Sequence, residues 1–229
     1  ILLANILLYS QYHKPFFEKT KTDIESLIER KVDLLIVAPN EAEAITPVIE
    51  KAYDAGIPVI LVDRKINSKK YTAYVGADNY EIGRKAGEYI ADRLGGKGRV
   101  IEITGLRGST PAVERHRGMM EALKAVPGVQ VVASAEAGWF RQKAGEVMDT
   151  LLDAHPQVNL VFAQNDRMAI GAYEKARQKN RAGQIAFVGV DAVAGGVESV
   201  AEGKLDATFI YPTGGDKVIQ VAMAILRGE

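Results

Sequence analysis

Short apolar runs alternate along the chain with longer segments in which apolar residues recur at helical spacing. Residues 32–38 (VDLLIVA) form a continuous apolar run of strand length. The segment before them, 15–31, places Ile24, Leu27 and Ile28 on one helical stripe among charged residues. Because this alternation continues to the end of the chain, it predicts parallel sheets covered by helices on both faces, which is an α/β fold.

The same pattern predicts the order of the elements. Strands are expected at residues 32–38, 57–62, 74–76, 99–104, 129–136, 160–163, 185–189 and 207–211. Helices are expected at residues 15–31, 41–55, 79–94, 111–125, 142–154, 166–179, 193–202 and 214–226. Residues 1–9 (ILLANILLY) predict a further buried strand, since this apolar run lacks the basic flank and the small-residue cleavage site of a secretory leader.

Two series of elements meet at a glycine-rich segment, which indicates two lobes. Gly95, Gly96 and Gly98 interrupt the pattern after the first series. Residues 211–215 (YPTGG) break the second series, so the last helix is expected to fold back onto the first lobe. The predicted first lobe is therefore residues 1–96 plus 212–229, and the predicted second lobe is residues 97–211.

Composition narrows the classes of partner. The 229 residues include 29 Lys and Arg and 29 Asp and Glu, and a net charge of +0 without a basic stripe argues against DNA or RNA. The absence of cysteine excludes disulfides and Cys-ligated metals, and His13, His116 and His155 are too scattered for a metal motif. No apolar run reaches the ~18 residues of a transmembrane helix. The sequence predicts no metal site and no cofactor.

Polar and aromatic side chains follow several of the predicted strands. In doubly wound sheets, ligands bind beyond the carboxyl ends of the strands, so the residues just after each apolar run are informative. The residues found there are Asp63, Arg64, Trp139, Phe140, Gln164, Asn165, Asp166 and Asp191. Arg115 lies near the start of the helix predicted at 111–125, whose N-terminus is expected at the same edge.

Each of these residues also has a purely structural interpretation. A strand-end Asp is commonly the N-cap of the next helix, which is the expected role of Asp78 and Asp166. Asp63 and Arg64 could form an internal ion pair, and Trp139 could belong to the core at the edge of its lobe. The functional interpretation rests on the set, because all of its members are predicted at the same edge of two sheets.

This set suits a polyhydroxylated ligand. Sugar hydroxyls both donate and accept hydrogen bonds, which Asp, Arg and Asn side chains satisfy, and the apolar face of a sugar ring packs on an aromatic ring. The chain lacks the G-x-S-x-G, GxxxxGK and GxGxxG motifs. Asp63 and Asp191 are assigned to different lobes, each beside a hydrogen-bonding partner, so they are not an obvious glycosidase pair. The sequence favours a binding protein over an enzyme.

Six segments cover nearly the whole chain in the order of one known family. They are residues 32–66, 74–91, 108–123, 155–176, 185–193 and 205–226, and they contain the strings VDRKI, GSTPAVERH, FAQND and GVD. With them the chain resembles the type I periplasmic binding proteins, the superfamily of ribose- and galactose-binding proteins and LacI effector domains. The resemblance implies two lobes, each a doubly wound parallel sheet. Family members have a further strand and helix at the start and a further hinge crossing at the end, so the chain is expected to be truncated at both ends.

The resemblance also implies ligand-binding roles. Asp63 and Arg64 match the sugar-binding pair of the first lobe, and Arg115 matches the arginine of the second lobe. Trp139 matches the aromatic residue that stacks on the sugar, and Asn165 matches the asparagine of the QND motif.

Three further positions follow or depart from the family pattern. Asp191 matches the carboxylate of the GVD strand. Tyr211 stands where ribose-type binders carry a hinge glutamine, which argues against ribose as the ligand. Ala38 stands where ribose-type proteins carry an asparagine, so either Asn40, two residues on, makes that contact or the contact is lost.

Within the family, the strings VDRKI, YTAYVGADNYEIGR, GSTPAVERH and DATFIYPTGGDKV are most similar to the sensor domains of Bacteroides-type hybrid two-component systems. This implies a periplasmic domain that closes on a monosaccharide, expected to be a hexose, and signals to a histidine kinase elsewhere in the parent chain. The membrane would be reached only through flanking segments, and a homodimer is compatible with this context. The alternative is the soluble receptor of an ABC sugar importer.

Overall fold

The computed structural model describes residues 16–229, over which helices and strands alternate except that the third strand follows the second with no helix between them. The elements in chain order are α1 (Phe16–Glu29), β1 (Leu35–Val37), α2 (Ala42–Asp54), β2 (Val59–Val62), β3 (Ala73–Val75), α3 (Asn79–Arg93), β4 (Gly98–Thr104), α4 (Thr110–Lys124), β5 (Val129–Glu136), α5 (Arg141–Ala154), β6 (Leu160–Ala163), α6 (Asp166–Gln178), β7 (Ala186–Asp191), α7 (Ala194–Ala201), β8 (Ala207–Ile210) and α8 (Gly215–Arg227). The predicted α/β class is confirmed, and a short 3₁₀ helix, Ala182–Gln184, adds to the predicted order. The strand predicted at residues 1–9 lies outside the described residues. Across residues 16–229, no helix is both long enough and apolar enough to cross a bilayer.

The chain forms two compact units. The first contains the described part of Ile1–Ala77 together with Gly108–Thr110 and Pro212–Glu229. The second contains Asp78–Arg107 and Pro111–Tyr211.

The first unit is a parallel sheet with helices on both faces. Its described strands lie in the order β1-β2-β3. Helix α2 buries Ile45, Val48 and Ile49, which recur at helical spacing, in a core cluster with side chains of β1 and β2. On the other face, Val218 and Ala222 of α8 share a cluster with residues of β2 and β3.

The second unit is a doubly wound parallel sheet in the order β5-β4-β6-β7-β8. Successive residues of a strand face opposite sides, so each strand contributes to two cores. Ile101 and Ile103 of β4 share one core cluster with Met148 of α5 and with side chains of α6. Val100 shares the other with Met119 of α4 and with side chains of α3. Both faces are therefore covered, as predicted.

The boundary between the units differs from the predicted one. It lies between Ala77 and Asp78, whereas the sequence pattern places it after residue 96. Helix α3 belongs to the second unit because its Ile90 lies in one core cluster with Met119 of α4. The helical pattern of α3 shows that it has an apolar face, but not which sheet that face covers.

Helices α3 and α4 approach each other so closely that glycine is required on both. A Cβ at Gly83 would overlap the carbonyl group of Arg115, and a Cβ at Gly118 would overlap the carbonyl group of Tyr80. Neither glycine has a left-handed backbone, so the requirement is one of space. This packing fixes the position of the helix that carries Arg115.

Replacing Gly118 by alanine should destabilise the second unit. Alanine is the better helix former by about 1 kcal/mol, but overpacking typically costs about 1–3 kcal/mol, and the obstacle here is backbone that cannot rotate away. We expect a net loss, measured as a lower urea midpoint with an unchanged slope. The matched control is Gly195→Ala in α7, where a Cβ meets no atom within 4 Å. A Gly118→Ala variant as stable as this control would contradict the packing argument.

Candidate functional site

The strand order of the second unit creates a crevice at one place in its sheet. The chain passes from β4 through α4 to β5 on one side, and from β6 through α6 to β7 on the other. Helices α4 and α6 therefore cover opposite faces, and beyond the carboxyl ends of β4 and β6 they leave a gap, the usual ligand position in such sheets. Arg115 lies on α4, and Gln164 and Asn165 directly follow β6.

The guanidinium group of Arg115 lies at the centre of this region. The residue is only 3% exposed. Its Nε donates a hydrogen bond to Oδ1 of Asn79 at 2.9 Å, and its Nη1 donates to the backbone carbonyl of Gln164. Nη1 also lies 4.0 Å from Oδ1 of Asp191. A buried charge is costly without such partners, so the three residues hold the guanidinium in one orientation.

Two aromatic rings lie against the same guanidinium group. Its central carbon is 5.7 Å from the ring centroid of Trp139 and 4.9 Å from that of Tyr211. Both distances are within the range of cation–π attraction. Trp139 is 8% exposed and belongs to the core cluster of α5 and α6, so it also has the structural role that the sequence left open. Gly105 makes room for its indole, since a Cβ there would overlap the ring.

Asn165 connects the start of α6 to the Trp139 turn. Its Oδ1 accepts a hydrogen bond from the backbone N–H of Met168 at 2.8 Å, which makes it the N-cap of α6. Its Nδ2 donates to the carbonyl of Trp139 at 3.4 Å. The expectation that Asp166 caps this helix is wrong, because Asp166 is already the first residue of α6 and its carboxylate accepts hydrogen bonds from Val193 and Thr208 instead. The expected capping role of Asp78 is confirmed, since its side chain accepts from the N–H of Glu81.

Asp166 is a fully buried anchor beneath the site. Its carboxylate accepts hydrogen bonds from Thr208 Oγ1 at 2.5 Å and from the N–H of Val193 at 3.0 Å. Burial raises the pKa of Asp166, and the hydrogen bonds from Thr208 and Val193 act in the opposite direction. Thr208 Oγ1 also accepts from the N–H of Ala192 at 3.1 Å. The anchor therefore holds the turn that follows Asp191.

Three of the predicted ligand-binding residues have positive φ angles, which residues other than glycine rarely adopt. The φ angle is 65° at Asp63, 76° at Trp139 and 113° at Asp191. Such conformations cost of order 1–3 kcal/mol each and persist only when surrounding contacts impose them. They occur where the chain leaves a strand, and they direct these side chains away from the ordinary strand path.

The first unit holds its own small polar cluster. Nη1 of Arg64 donates to Oδ1 of Asn40 at 2.8 Å and to the carbonyl of Asn40 at 3.2 Å. Nε of Arg64 lies 3.4 Å from Oδ2 of Asp63, whose side chain is 38% exposed. The ion pair that the sequence left open is therefore present, and Asn40 positions Arg64. The hydroxyl of Tyr74 donates to the carbonyl of Asp63 at 3.2 Å.

The structure thus distributes the eight predicted residues over two clusters. The second unit gathers Arg115, Trp139, Asn165, Asp191 and Tyr211, and the first unit gathers Asn40, Asp63 and Arg64. Sequence reasoning missed the supporting roles of Asn79, Asp166 and Thr208. Asp166 carried a signal as a strand-end carboxylate, but Asn79 and Thr208 stand out by no motif. Chemically, the second cluster combines a fixed donor, a carboxylate acceptor and aromatic faces, which suits hydroxyl groups on an apolar ring.

Comparison with known proteins identifies the family. The family of periplasmic binding protein domains matches residues 18–229. This chain belongs to the periplasmic binding protein family. The ribose import binding protein RbsB of Salmonella typhimurium is 34% identical over 227 residues, which are 98% of this chain and 75% of that protein. The predicted family is therefore confirmed.

Solved structures agree with this assignment. The fructose-binding periplasmic domain of the hybrid two-component system BT1754 is 52% identical, with a TM-score of 0.91 over 93% of this chain and 72% of that one. A crystal structure from Mycobacterium smegmatis in complex with β-D-fucofuranose is 32% identical, with a TM-score of 0.88 over 93% and 73% of the two chains.

Replacing Thr208 by valine should destabilise the second unit at neutral pH. The change keeps the branched shape but removes the hydroxyl that donates to Asp166, which leaves a buried carboxylate short of one hydrogen bond at a cost of about 1–3 kcal/mol. Because the pKa of Asp166 is raised, its carboxylate is protonated in the folded protein at a higher pH than in the unfolded chain. The penalty should therefore shrink as the pH falls through that raised pKa toward the ordinary 3.8.

Urea unfolding of Thr208→Val at several pH values checks this expectation. Thr150→Val, at an exposed position of α5, is the matched control and should leave stability within about 0.5 kcal/mol of the parent. A Thr208→Val penalty that is absent, or that does not depend on pH, would show that the hydroxyl is not the support of the buried carboxylate.

Proposed function

We propose that this chain is a periplasmic sensor domain that binds a monosaccharide, closes on it and thereby signals to the histidine kinase of a hybrid two-component system. The observation that carries the proposal is the cluster around Arg115. A buried guanidinium between two aromatic rings, with Asp191 at 4.0 Å, matches the needs of a ring that has hydroxyl groups on its edge and C–H groups on its faces.

The expected ligand is a hexose, with D-fructose as the first candidate. Support comes from the 52% identity to a fructose-binding sensor domain over 93% of this chain. Tyr211, packed on Arg115 at 4.9 Å, occupies the position at which ribose-type binders carry a glutamine, and this supports a ligand other than ribose.

A second candidate function is the soluble receptor of an ABC sugar importer. The 34% identity to a ribose import binding protein favours it. The two functions share the site and differ in what surrounds it, since a sensor requires transmembrane helices and a kinase in the same chain. Sequencing the gene on either side of this segment distinguishes the two functions. Transmembrane helices and a kinase would support the sensor function, and a signal peptide alone would contradict it.

We propose binding without catalysis. Asp63 and Asp191 belong to different compact units, and each lies next to an arginine, Arg64 at 3.4 Å and Arg115 at 4.0 Å. Glycosidases use two carboxyl groups that flank the scissile bond, one of them as proton donor, and two carboxylates that each lie beside an arginine are not such a set. Incubation of the chain with D-fructose and with simple fructosides should therefore return them unchanged.

Titration calorimetry with a panel of monosaccharides tests the ligand class. D-Fructose should bind most tightly, D-ribose should bind weakly, and the acyclic D-mannitol should not bind. The absence of binding by every monosaccharide would contradict the proposed function, and binding of ribose in preference to hexoses would contradict the argument from Tyr211.

Fluorescence of Trp139 should report binding. Trp139 is the only tryptophan of the chain, and its ring lies against the guanidinium that is proposed to hold the sugar. Saturation with D-fructose should change the emission intensity or wavelength, and D-mannitol should not. If calorimetry shows binding while the emission stays constant, Trp139 is a core residue only.

Asp191→Ala and Asp63→Ala should each weaken binding about 10-fold to 100-fold, because a buried hydroxyl donor left without its acceptor costs about 1–3 kcal/mol. Calorimetry on each variant measures the change. Asp92→Ala and Asp33→Ala, at exposed positions of the second and first unit, are matched controls that should keep the parent affinity. An unchanged affinity in Asp191→Ala or Asp63→Ala removes that residue from the site.

A further inference from the structure

A second polar network lies in the interior of the second unit, behind the Arg115 cluster. Its central group is Glu102, in the middle of β4, whose exposure is 0%. Its Oε2 accepts from Ser134 Oγ of β5 at 2.9 Å and lies 2.7 Å from Nδ1 of His116 on α4. Its Oε1 accepts from Nε2 of Gln164 at 2.9 Å. One buried carboxylate thus joins β4 to β5, to the residue that follows β6 and to helix α4.

Gln164 links this network to Arg115. The side chain is fully buried, and Nε2 uses both of its hydrogens, one on Glu102 and one on the carbonyl of Ala112 at 3.1 Å. Its Oε1 accepts from the N–H of Gly105 at 3.0 Å. Because both hydrogens and the oxygen of this side-chain amide are hydrogen-bonded, the side chain fixes the position of the Gln164 backbone. The backbone carbonyl of Gln164 is the group that accepts from Arg115.

Arg115 and His116 are consecutive residues of α4, so the two networks are also joined through the helix. Arg115 bonds to the backbone of Gln164, and His116 bonds to the carboxylate that holds the side chain of Gln164. Any change in the bond between His116 and Glu102 therefore acts on Arg115 by two routes, through the backbone of α4 and through Gln164.

We infer that Glu102 and Gln164 are positioning residues for Arg115, and that the charge on His116 sets how firmly they hold it. This inference rests on the proposed sugar-binding function of Arg115. Sugar affinity is then highest when His116 carries its proton, because the cation compensates the buried carboxylate and the network keeps its geometry. Loss of that proton removes the compensating charge and loosens the support of Arg115.

Solvent reaches His116 without entering the core. Its side chain is 47% exposed and lines a cavity of about 240 Å³ together with Thr104, Arg107, Ala112, Val113 and Ser134. In the described part of the chain, Glu102 on β4 lies against its ring, and Arg107, in the loop after β4, lines the same cavity. Arg107 is offset by Glu136, since Nε and Oε2 lie 3.6 Å apart.

The direction of the pH dependence follows from the partner of His116. The hydrogen bond to Glu102 raises the pKa of His116 above its ordinary value of 6.5, and partial burial acts in the opposite direction. The supporting charge is therefore complete below pH 6.5 and is lost as the pH rises through the raised pKa.

Calorimetry with D-fructose between pH 5.5 and 8.5 provides the first test. For the parent chain, the dissociation constant should increase about fivefold across this range, which is the lower end of typical coupling between sites. His116→Gln keeps a hydrogen-bond donor for Glu102 but cannot titrate, so its affinity should not vary. Glu102→Gln, in which the pair has no charge to compensate, should likewise lose the variation. The control is His155→Gln, which removes a different histidine of the same unit and should retain the parent profile.

A constant affinity in the parent chain would overturn the inference, and so would an unchanged profile in His116→Gln. Neither result would affect the proposed function, which requires only that the sugar binds. Failure of every variant and of the parent to bind a monosaccharide would instead contradict the proposed function.

A second measurement needs no sugar. The Nε–H resonance of Arg115, assigned by its loss in Arg115→Lys, reports the bond to Asn79 and the orientation of the guanidinium. In the parent chain this resonance should shift with pH at the midpoint of the His116 ring, and in Glu102→Gln it should stay constant. A resonance that does not move in the parent would overturn the inference whatever the sugar experiments show.

Discussion

A guanidinium group that is removed from water must find its hydrogen-bond acceptors inside the protein, and in the second unit this requirement falls on Arg115. Two acceptors come from the first residue of α3 and from the backbone after β6, and a carboxylate at 4.0 Å comes from the end of β7. No local segment could supply all three. The position of Arg115 therefore depends on the packing of α3 against α4 and on the order of the strands.

The same requirement explains several features that would otherwise be unrelated. Gly83 and Gly118 let α3 approach α4 closely enough for Asn79 to reach the guanidinium. Gly105 gives space to the indole that lies against it. Asp166 and Thr208 hold the strained turn after Asp191. Each of these features places a group beside Arg115 in advance, and at the proposed sugar site such a preformed arrangement reduces the ordering cost of binding.

The proposed sensor function and the proposed network behind the site depend on the same buried charge. A guanidinium held by neutral acceptors responds to small changes in their position, because electrostatic interactions are strong in a poorly solvated interior. One of those acceptors is the carbonyl of Gln164, whose side chain bonds to Glu102, and Glu102 in turn contacts a histidine that solvent can reach. In the proposed arrangement, a binding site built on a buried charge becomes sensitive to a proton on the next residue of the same helix.

The amino-acid sequence by itself determined the α/β class, the order of the elements over residues 16–229 and the residues at the strand ends, because hydrophobic periodicity and strand-end position are local properties. It did not determine that α3 covers the second sheet, that Asn165 rather than Asp166 caps α6, or that Asn79 and Gln164 hold Arg115. An amphipathic helix shows that it has a partner without showing which one. A hydrogen bond between residues 36 or 49 positions apart, such as those of Arg115, exists only once the chain is packed. Those choices belong to the tertiary structure, because they are decided by the space and the unsatisfied polar groups that packing brings together.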